Sequence, residues 1–278
     1  MSLVKVSKIL KDAEENSYGV AAFNIFNYET IAWVIETAEE EGKPVLIQFY
    51  PGFKDYISFK VVTGIVKELS AKVKVPIGLH LDHSFSYDEI VQGIKDGFPS
   101  VMIDASKEEY RENVEQTSKV VEYAHKEGID VEAELGHVGS GANKEDFKSR
   151  DFFTGVDEAV RFIEETGADS LAVSIGNAHG YYAEKPELDF ELLTDIKENT
   201  DIPLVLHGGS GIPDKQLKEA ARIGISKFNI ATEYFKTFYD EVNKHTANLE
   251  EGNYFETMNQ VKSGVKEFIK YKMRLLNP

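Results

Sequence analysis

The feature that most constrains this chain is an alternation of short apolar runs with longer segments whose apolar residues recur at helical spacing. Five of these helical segments are followed by a glycine just before the next apolar run, at Gly42, Gly97, Gly128, Gly167 and Gly224. Glycine adopts the left-handed conformation that often ends a helix, and it does so at little steric cost. Repeated strand and helix units of this kind predict a parallel sheet covered by helices.

The number of predicted strands indicates how the sheet closes. Eight strands are predicted, each followed by a helix, with a small helix over 4–15 at the barrel bottom and more helix over 254–275. No Pro/Ser-rich linker divides the 278 residues. A single α/β domain over 1–278, a (β/α)8 TIM barrel with extra N-terminal and C-terminal helices, is therefore favoured over two Rossmann-like halves. The predicted strands are Val20–Phe23, Pro44–Gln48, Ile77–Leu81, Ser100–Asp104, Asp130–Glu134, Ser170–Ser174, Leu204–His207 and Lys227–Ile230, and the helices between and after them are 27–41, 58–72, 86–96, 109–127, 157–166, 190–199, 214–223 and 232–248.

Charge and cysteine content exclude several classes of function. The 31 Lys and Arg against 48 Asp and Glu give a formal net charge of −17, which disfavours nucleic acids and anionic membranes as partners. A small phosphorylated ligand remains compatible, because backbone amides and a metal can reverse the field locally. With no cysteine, a metal site must use His, Asp and Glu. Neither a signal peptide nor an apolar run of membrane-spanning length is found, so a cytoplasmic location is expected.

Three histidines are placed where a barrel carries its chemistry. His83, His179 and His207 lie at or just after the ends of the third, sixth and seventh strands, and these ends share one face of a barrel. Three neutral imidazoles with an open fourth position are a catalytic zinc set. A single such histidine would more often be a hydrogen-bonding group, but three together favour a metal. His80, within a strand, is expected to support a ligand rather than bind the metal; His125 and His245 are expected on helix surfaces.

Carboxylates accompany these histidines at the strand ends. Asp82 adjoins His83 and could exchange a proton with a hydroxyl of a metal-bound substrate, or it could orient an imidazole. The residue types and spacing leave both roles open. Asp104 and Glu134 end the fourth and fifth strands, where they could hold a second metal position or orient the histidines.

The segments after strands seven and eight are typical of a phosphate site. Gly208, Gly209 and Ser210 follow strand seven, and Thr232 follows strand eight at the start of a helix. Glycines allow close approach of backbone amides to an anion, the two hydroxyls can donate to its oxygens, and the helix N-terminus adds positive potential. A turn shaped only for connection is the alternative.

These residues together resemble the class II, zinc-dependent ketose-bisphosphate aldolases. The similarity appears in family order along nearly the whole chain, in AAFNIFNYETIAWVI, PIGLHLDHSFSYDEIVQGIKDGFPSVMIDAS, VEAELGHVGS, TGADSLAVSIGNAHGYY, IPLVLHGGSGIP and ISKFNIATE. The resemblance implies a (β/α)8 barrel that reversibly cleaves fructose 1,6-bisphosphate, tagatose 1,6-bisphosphate or a related phosphorylated ketose to dihydroxyacetone phosphate and an aldehyde. A homodimer or homotetramer is expected.

The resemblance also implies roles for individual residues. It assigns zinc to His83, His179 and His207, an alternative metal position to Asp104 and Glu134, and transfer of the C4 hydroxyl proton to Asp82. A monovalent cation, Na⁺ or K⁺, often assists the family's phosphate site. The dihydroxyacetone-phosphate half is assigned to Gly180, Gly208, Gly209, Ser210, Asn229, Ala231 and Thr232.

The sequence departs from the family pattern in places that bear on the reaction. Family members usually carry a Glu-Asp pair on a mobile loop, and its Glu handles the proton on the dihydroxyacetone carbon. That position holds Ala142 and Asn143 here, followed by Glu145 and Asp146. Tyr50 replaces the serine of the family's Gln-x-Ser, and Ser84 the glycine of its Asp-His-Gly. Both are expected at the aldehyde half.

Two other functions stay open. A phosphosugar isomerase or epimerase could use the same histidines and Asp82 for enolisation without breaking a C–C bond. A non-catalytic paralogue that binds sugar phosphate as a partner subunit would be consistent with Ala142 and Asn143.

Thr232-Glu233 resembles the tagatose branch more than the fructose branch of the family.

Overall fold

The computed structural model describes residues 2–246 and 253–278 of the chain. Within these ranges eight parallel strands close into a barrel in sequence order, with β1 hydrogen-bonded to both β2 and β8. The predicted fold is confirmed. The strands are β1 (Val20–Asn24), β2 (Val45–Phe49), β3 (Ile77–Ser84), β4 (Ser100–Ile103), β5 (Asp130–Leu135), β6 (Ser170–Val173), β7 (Leu204–Leu206) and β8 (Ile225–Ile230).

Helices surround the barrel, and eleven fall within the described ranges. They are α1 (Val6–Glu15), α2 (Tyr28–Glu41), α3 (Phe59–Ser70), α4 (Tyr87–Lys95), α5 (Tyr110–Lys126), α6 (Glu145–Lys148), α7 (Val156–Thr166), α8 (Phe190–Asn199), α9 (Asp214–Ile223), α10 (Thr232–Thr246) and α11 (Tyr254–Leu276). Positions 247 and 248 of the predicted helix 232–248 lie outside the described residues. None of the described helices combines the length and apolar character needed to cross a bilayer.

The five glycines that were predicted to end helices all have positive φ. Gly42 (φ +64°) and Gly167 (φ +70°) are left-handed caps of α2 and α7, and Gly97, Gly128 and Gly224 also lie at positive φ. The glycines that recur along the sequence therefore mark the ends of helices in the structure.

Two cores support the barrel. Outward-facing strand residues pack against the surrounding helices, as Leu79 and Leu81 of β3 do. At the bottom, Ile9 and Leu10 of α1 pack on Val20, Ala22 and Leu46 inside the barrel. The predicted small helix therefore closes the bottom of the barrel with apolar side chains, opposite the carboxyl ends of the strands where a barrel carries its chemistry.

Several strand boundaries differ from the prediction by one to three residues, and one difference shapes the site. β3 was predicted to end at Leu81 but continues to Ser84, with a shift in its register against β4 between Leu81 and Ser84. An irregularity of this kind bends a strand and re-aims its side chains.

Candidate active site

The irregular end of β3 brings two neighbouring side chains to one cavity. His83 has φ +46°, the left-handed conformation that a non-glycine residue seldom adopts. In a regular strand Asp82 and His83 would face opposite sides of the sheet. Here both line the same cavity at the mouth of the barrel. Unusual backbone conformations of this kind cost free energy and concentrate at functional sites.

The three predicted histidine ligands converge. The ring of His83 lies 4.5 Å from that of His207 and 4.9 Å from that of His179, measured between centroids. His83 Nδ1 bonds Asp104 Oδ2 at 2.8 Å, and His179 Nδ1 bonds the carbonyl of Val138 at 3.0 Å. The Nε2 atoms of His83 and His179 are buried and have no hydrogen-bond partner among the described residues. Two orphaned nitrogens beside a third imidazole suit a bound metal ion.

His207 is held by carboxylates on both ring nitrogens. Nδ1 lies 2.6 Å from Glu134 and Nε2 lies 2.9 Å from Glu132. Burial disfavours the charged imidazolium, but the bonds to Glu132 and Glu134 outweigh it and raise the pKa of His207 to about 10. In the metal-free site His207 is therefore a cation at neutral pH, and a metal must displace its proton. By contrast, burial and the charge on His83 lower the pKa of His179 to about 4.

Beneath His207 lies a buried ion pair that the sequence analysis missed. Lys227 Nζ lies 2.9 and 2.8 Å from the two carboxylate oxygens of Glu132. Burial and the charge of Lys227 lower the pKa of the adjacent His80 to about 3, so His80 is neutral and bonds Ser100 through Nδ1. Strand alternation could have indicated this pair, because residues two apart in a strand face the same side of the sheet. Lys227 lies two residues before Asn229, and Glu132 lies two residues before Glu134.

The carboxylate of Asp82 is clamped by two amides. Asn24 Nδ2 donates to Oδ2 at 2.7 Å, Asn229 Nδ2 donates to Oδ1 at 3.1 Å, and Gln48 Nε2 donates to Asn24 Oδ1 at 2.7 Å. Burial opposes ionisation, but the positive charges of His83 and Lys227 prevail and lower the pKa of Asp82. Asp82 Oδ1 lies 4.0 Å from His83 Nε2. An ionised carboxylate is thus fixed beside the metal-capable histidines.

Asp104 and Glu134 lie close to the histidines, as predicted. Ligand atoms of His83, Asp104 and Glu134 all lie within 4.8 Å of one another, as do those of His83, His179 and His207. Both carboxylates also hydrogen-bond an imidazole, Asp104 to His83 and Glu134 to His207. The arrangement is therefore compatible with both roles considered for them, a second metal position and the orientation of histidines.

The turn after β7, which the sequence predicts to be an anion cradle, lies against the N-terminus of α10. Gly208 has φ +63°, and a Cβ there would lie 1.9 Å from the carbonyl oxygen of Ala178, so only glycine fits. Ser210 Oγ accepts the Glu233 amide at 3.1 Å, which places its hydroxyl at the first turn of α10. Gly209 differs from its neighbours because its amide already donates to the carbonyl of Asn229 at 3.0 Å.

One cavity of about 180 Å³ joins His83, His179, Asp82 and this cradle, while His207 is buried behind it. Ser84, expected at the aldehyde half, is instead fully buried in β3, while Tyr50 and the unpredicted Phe53 and Phe235 reach the cavity. The cavity is lined by Asn24, Tyr50, Phe53, Asp82, His83, His179, Gly180, Gly208, Ser210, Asn229, Ala231, Thr232 and Phe235.

The loop with the family departure runs beside His179. The amide of Gly141 donates to the His179 carbonyl at 2.7 Å, and the amide of His179 donates to the Gly139 carbonyl at 2.8 Å. Asp146 accepts from the Ser140 amide at 2.7 Å and from the Asn143 side chain at 2.6 Å. Asp146 therefore holds the loop together, while Ala142 and Glu145 are exposed on it.

Comparison with known proteins gives one consistent family. The model of the family described as "Fructose-bisphosphate aldolase class-II" matches residues 4–278. The solved structure of the YdjI aldolase from Escherichia coli K12 is 35% identical, with a TM-score of 0.87 over 99% of this chain and 97% of that one. The fructose-bisphosphate aldolase of Campylobacter jejuni has the same fold, with a TM-score of 0.85 over 99% and 96% at 23% identity.

Proposed function

This chain belongs to the class II fructose-bisphosphate aldolase family, whose members are lyases, and on that premise we propose that it is a zinc-dependent aldolase. It would reversibly cleave a phosphorylated ketose to dihydroxyacetone phosphate and an aldehyde. The observation that carries the proposal is the clamped Asp82 carboxylate 4.0 Å from the orphaned Nε2 of His83, in a cavity that also contains an anion cradle.

His83, His179 and His207 are the residues that would hold the zinc ion. The Nε2 atoms of His83 and His179 have no hydrogen-bond partner among the described residues. For His207, the bond from Nδ1 to Glu134 is the one that would yield, because Glu132 is fixed by Lys227. A bound zinc ion supplies a Lewis acid, which polarises the ketone and stabilises the negative charge left by C–C cleavage.

Asp82 would remove the proton that starts cleavage. Its ionised carboxylate takes the proton of the C4 hydroxyl, and the C4–O bond becomes the aldehyde carbonyl. The C3–C4 bond breaks, and its electron pair stays with the dihydroxyacetone fragment. A proton delivered to C3 then completes dihydroxyacetone phosphate. The amides of Asn24 and Asn229 keep the carboxylate oriented throughout.

The remaining predicted residues would bind the dihydroxyacetone-phosphate half. Ser210, Thr232 and the N-terminus of α10 would supply donors and positive potential for the phosphate. Gly208 lets the turn pack closely on the Ala178 carbonyl beside them. Gly180, Asn229 and Ala231 line the same cavity, whereas Gly209 is not among its lining residues and would act through its bond to Asn229. The monovalent cation, the homo-oligomeric state, the single domain and the cytoplasmic location stay predictions.

Detection of released dihydroxyacetone phosphate tests the proposal. Zinc-loaded protein is incubated with fructose 1,6-bisphosphate, tagatose 1,6-bisphosphate and ketose 1-phosphates, and the triose phosphate is reduced by a coupled dehydrogenase. We expect turnover with at least one ketose, lost in His207→Ala together with zinc. An isomerase or epimerase would convert the ketose without releasing triose phosphate, and a non-catalytic paralogue would bind without converting it. Full activity after metal removal would contradict the zinc dependence.

A further inference from the structure

The cavity has two chemically different ends. Gly208, Ser210 and Thr232 lie at the end after β7 and β8, and Tyr50 and Phe53 lie after β2, with β1 in between. We propose that the cavity holds one phosphate group only. The substrate is then a ketose 1-phosphate, and the aldehyde released from it carries no phosphate. This inference rests on the aldolase activity proposed above.

The first end is built to bind an anion. The 15-residue helix α10 begins there at Thr232, and the hydroxyl of Ser210 sits at its first turn. A helix N-terminus and nearby hydroxyls can bind a phosphate dianion without a cationic side chain. This end therefore accounts for one phosphate, that of the dihydroxyacetone fragment.

The second end is a wall of packed aromatic rings. Phe53 packs edge-on against Tyr50, with 5.5 Å between ring centroids, and lies 6.0 Å from Phe235. Phe235 in turn packs edge-on against Phe26 at 5.1 Å. The four rings support one another, so the wall does not depend on a single side chain.

The described residues of this chain place no lysine or arginine at this wall. Among the described residues no Lys or Arg lines the cavity, and residues 1 and 247–252 include neither type. The two lysines next in sequence to wall residues are exposed and ion-paired: Lys54 lies 2.8 Å from Glu89, and Lys236 lies 2.5 Å from Asp240.

Two side-chain amides near the wall are also committed. The side-chain amide of Gln48 donates to Asn24, and that of Asn24 donates to Asp82. A second phosphate at this end would lose water and meet aromatic faces, which carry partial negative charge. An unpaired buried charge is costly, whereas the carbon skeleton of a neutral aldehyde can pack on the rings.

A matched pair of aldehydes tests the inference. The zinc-loaded enzyme condenses dihydroxyacetone phosphate with D-glyceraldehyde or with D-glyceraldehyde 3-phosphate, which differ only in the phosphate. We expect kcat/KM for the neutral aldehyde to exceed that for the phosphorylated one by at least roughly tenfold. Equal values, or a preference for the phosphorylated aldehyde, would overturn the inference and leave the aldolase intact. Condensation with neither, and cleavage of no ketose phosphate, would overturn the proposed function as well.

Substitutions at Tyr50 distinguish the effect of charge at the wall from the effect of side-chain bulk. Tyr50→Arg places a cation at the wall and should raise the relative kcat/KM for the phosphorylated aldehyde by roughly tenfold. Tyr50→Gln removes the ring without adding charge and should leave the ratio within about twofold of the original enzyme. If Tyr50→Gln shifts the ratio as far as Tyr50→Arg does, the bulk of the ring excludes the second phosphate, and the inference from missing charge is wrong.

Discussion

Lys227 and Glu132 form an ion pair inside the barrel, with the ammonium 2.9 and 2.8 Å from the two carboxylate oxygens and both side chains shielded from solvent. Glu132 uses the same carboxylate to accept a bond from His207 Nε2. The ion pair therefore holds Glu132 in place against Nε2 of His207, a proposed metal ligand. A carboxylate behind a ligating histidine sets the orientation of the ring and raises its basicity.

The first prediction concerns this ion pair. Lys227→Met leaves Glu132 without its cation, and Glu132→Gln removes the charge behind His207. Each should weaken zinc binding by roughly 10- to 100-fold, measured by competition with a chromogenic chelator. Lys266→Met is the matched control, since Lys266 is also mostly buried but pairs with Glu36 and Glu40 between α11 and α2. Zinc affinity unchanged in both barrel variants would contradict this role.

The second prediction follows from the raised pKa of His207. Because that pKa is about 10 in the metal-free site, His207 carries a proton at pH 7 and at pH 8, and zinc must displace it. Zinc affinity should rise with pH over this interval, with release of at least about one proton per ion. Calorimetry in two buffers with different heats of ionisation measures the release. Zinc uptake without proton release at pH 8 would show that His207 is neutral or does not bind the metal.

The third prediction concerns Gly208. Gly208→Ala creates a clash with the Ala178 carbonyl at positive φ, whereas Gly42 has nearly the same φ and no atom within 4 Å of a new Cβ. Gly42→Ala should cost about 1–2 kcal/mol of unfolding free energy. Gly208→Ala should cost more and should raise KM for dihydroxyacetone phosphate. Urea unfolding and condensation kinetics provide the two measurements; equal costs at both glycines would refute the close approach.

Much of this site follows from the positions of strand ends in the sequence. Because parallel strands of a barrel present their carboxyl ends on one face, Asp82, His179 and Ser210 could be grouped before any contact was known. Features that depend on tertiary pairing could not. Glu132 and Lys227 are 95 residues apart, and only the closed barrel makes each the partner of the other.

The end of β3 shows a second limit of sequence reasoning. Strand alternation predicts opposite directions for Asp82 and His83, and no glycine marks the position where the backbone becomes left-handed. Likewise, the motif that contains Gly209 gives no sign that its amide is used by Asn229. Backbone geometry of this kind is decided by the surrounding packing rather than by local residue type.

The fourth prediction concerns the proton on C3. Asp146 is committed to the Ser140 amide and Asn143, so Glu145 is the better remaining carboxylate on this loop. Solvent hydrogen exchange into dihydroxyacetone phosphate, followed by NMR, should slow in Glu145→Gln and accelerate in Ala142→Glu. Asp146→Asn should slow it indirectly by loosening the loop. Fast exchange that is insensitive to all three changes would place the base elsewhere in the cavity.

The most direct test of the account is the separation of metal binding from turnover in Asp82→Ala. Asp82 lies next to His83 but is proposed to move a proton, not to hold the metal. Zinc content and affinity for dihydroxyacetone phosphate should stay near those of the original enzyme, while ketose phosphate cleavage falls by at least roughly 10²-fold. If Asp82→Ala instead loses zinc, and reconstitution with zinc restores the cleavage rate, then Asp82 only supports the metal site and the proposed mechanism is wrong.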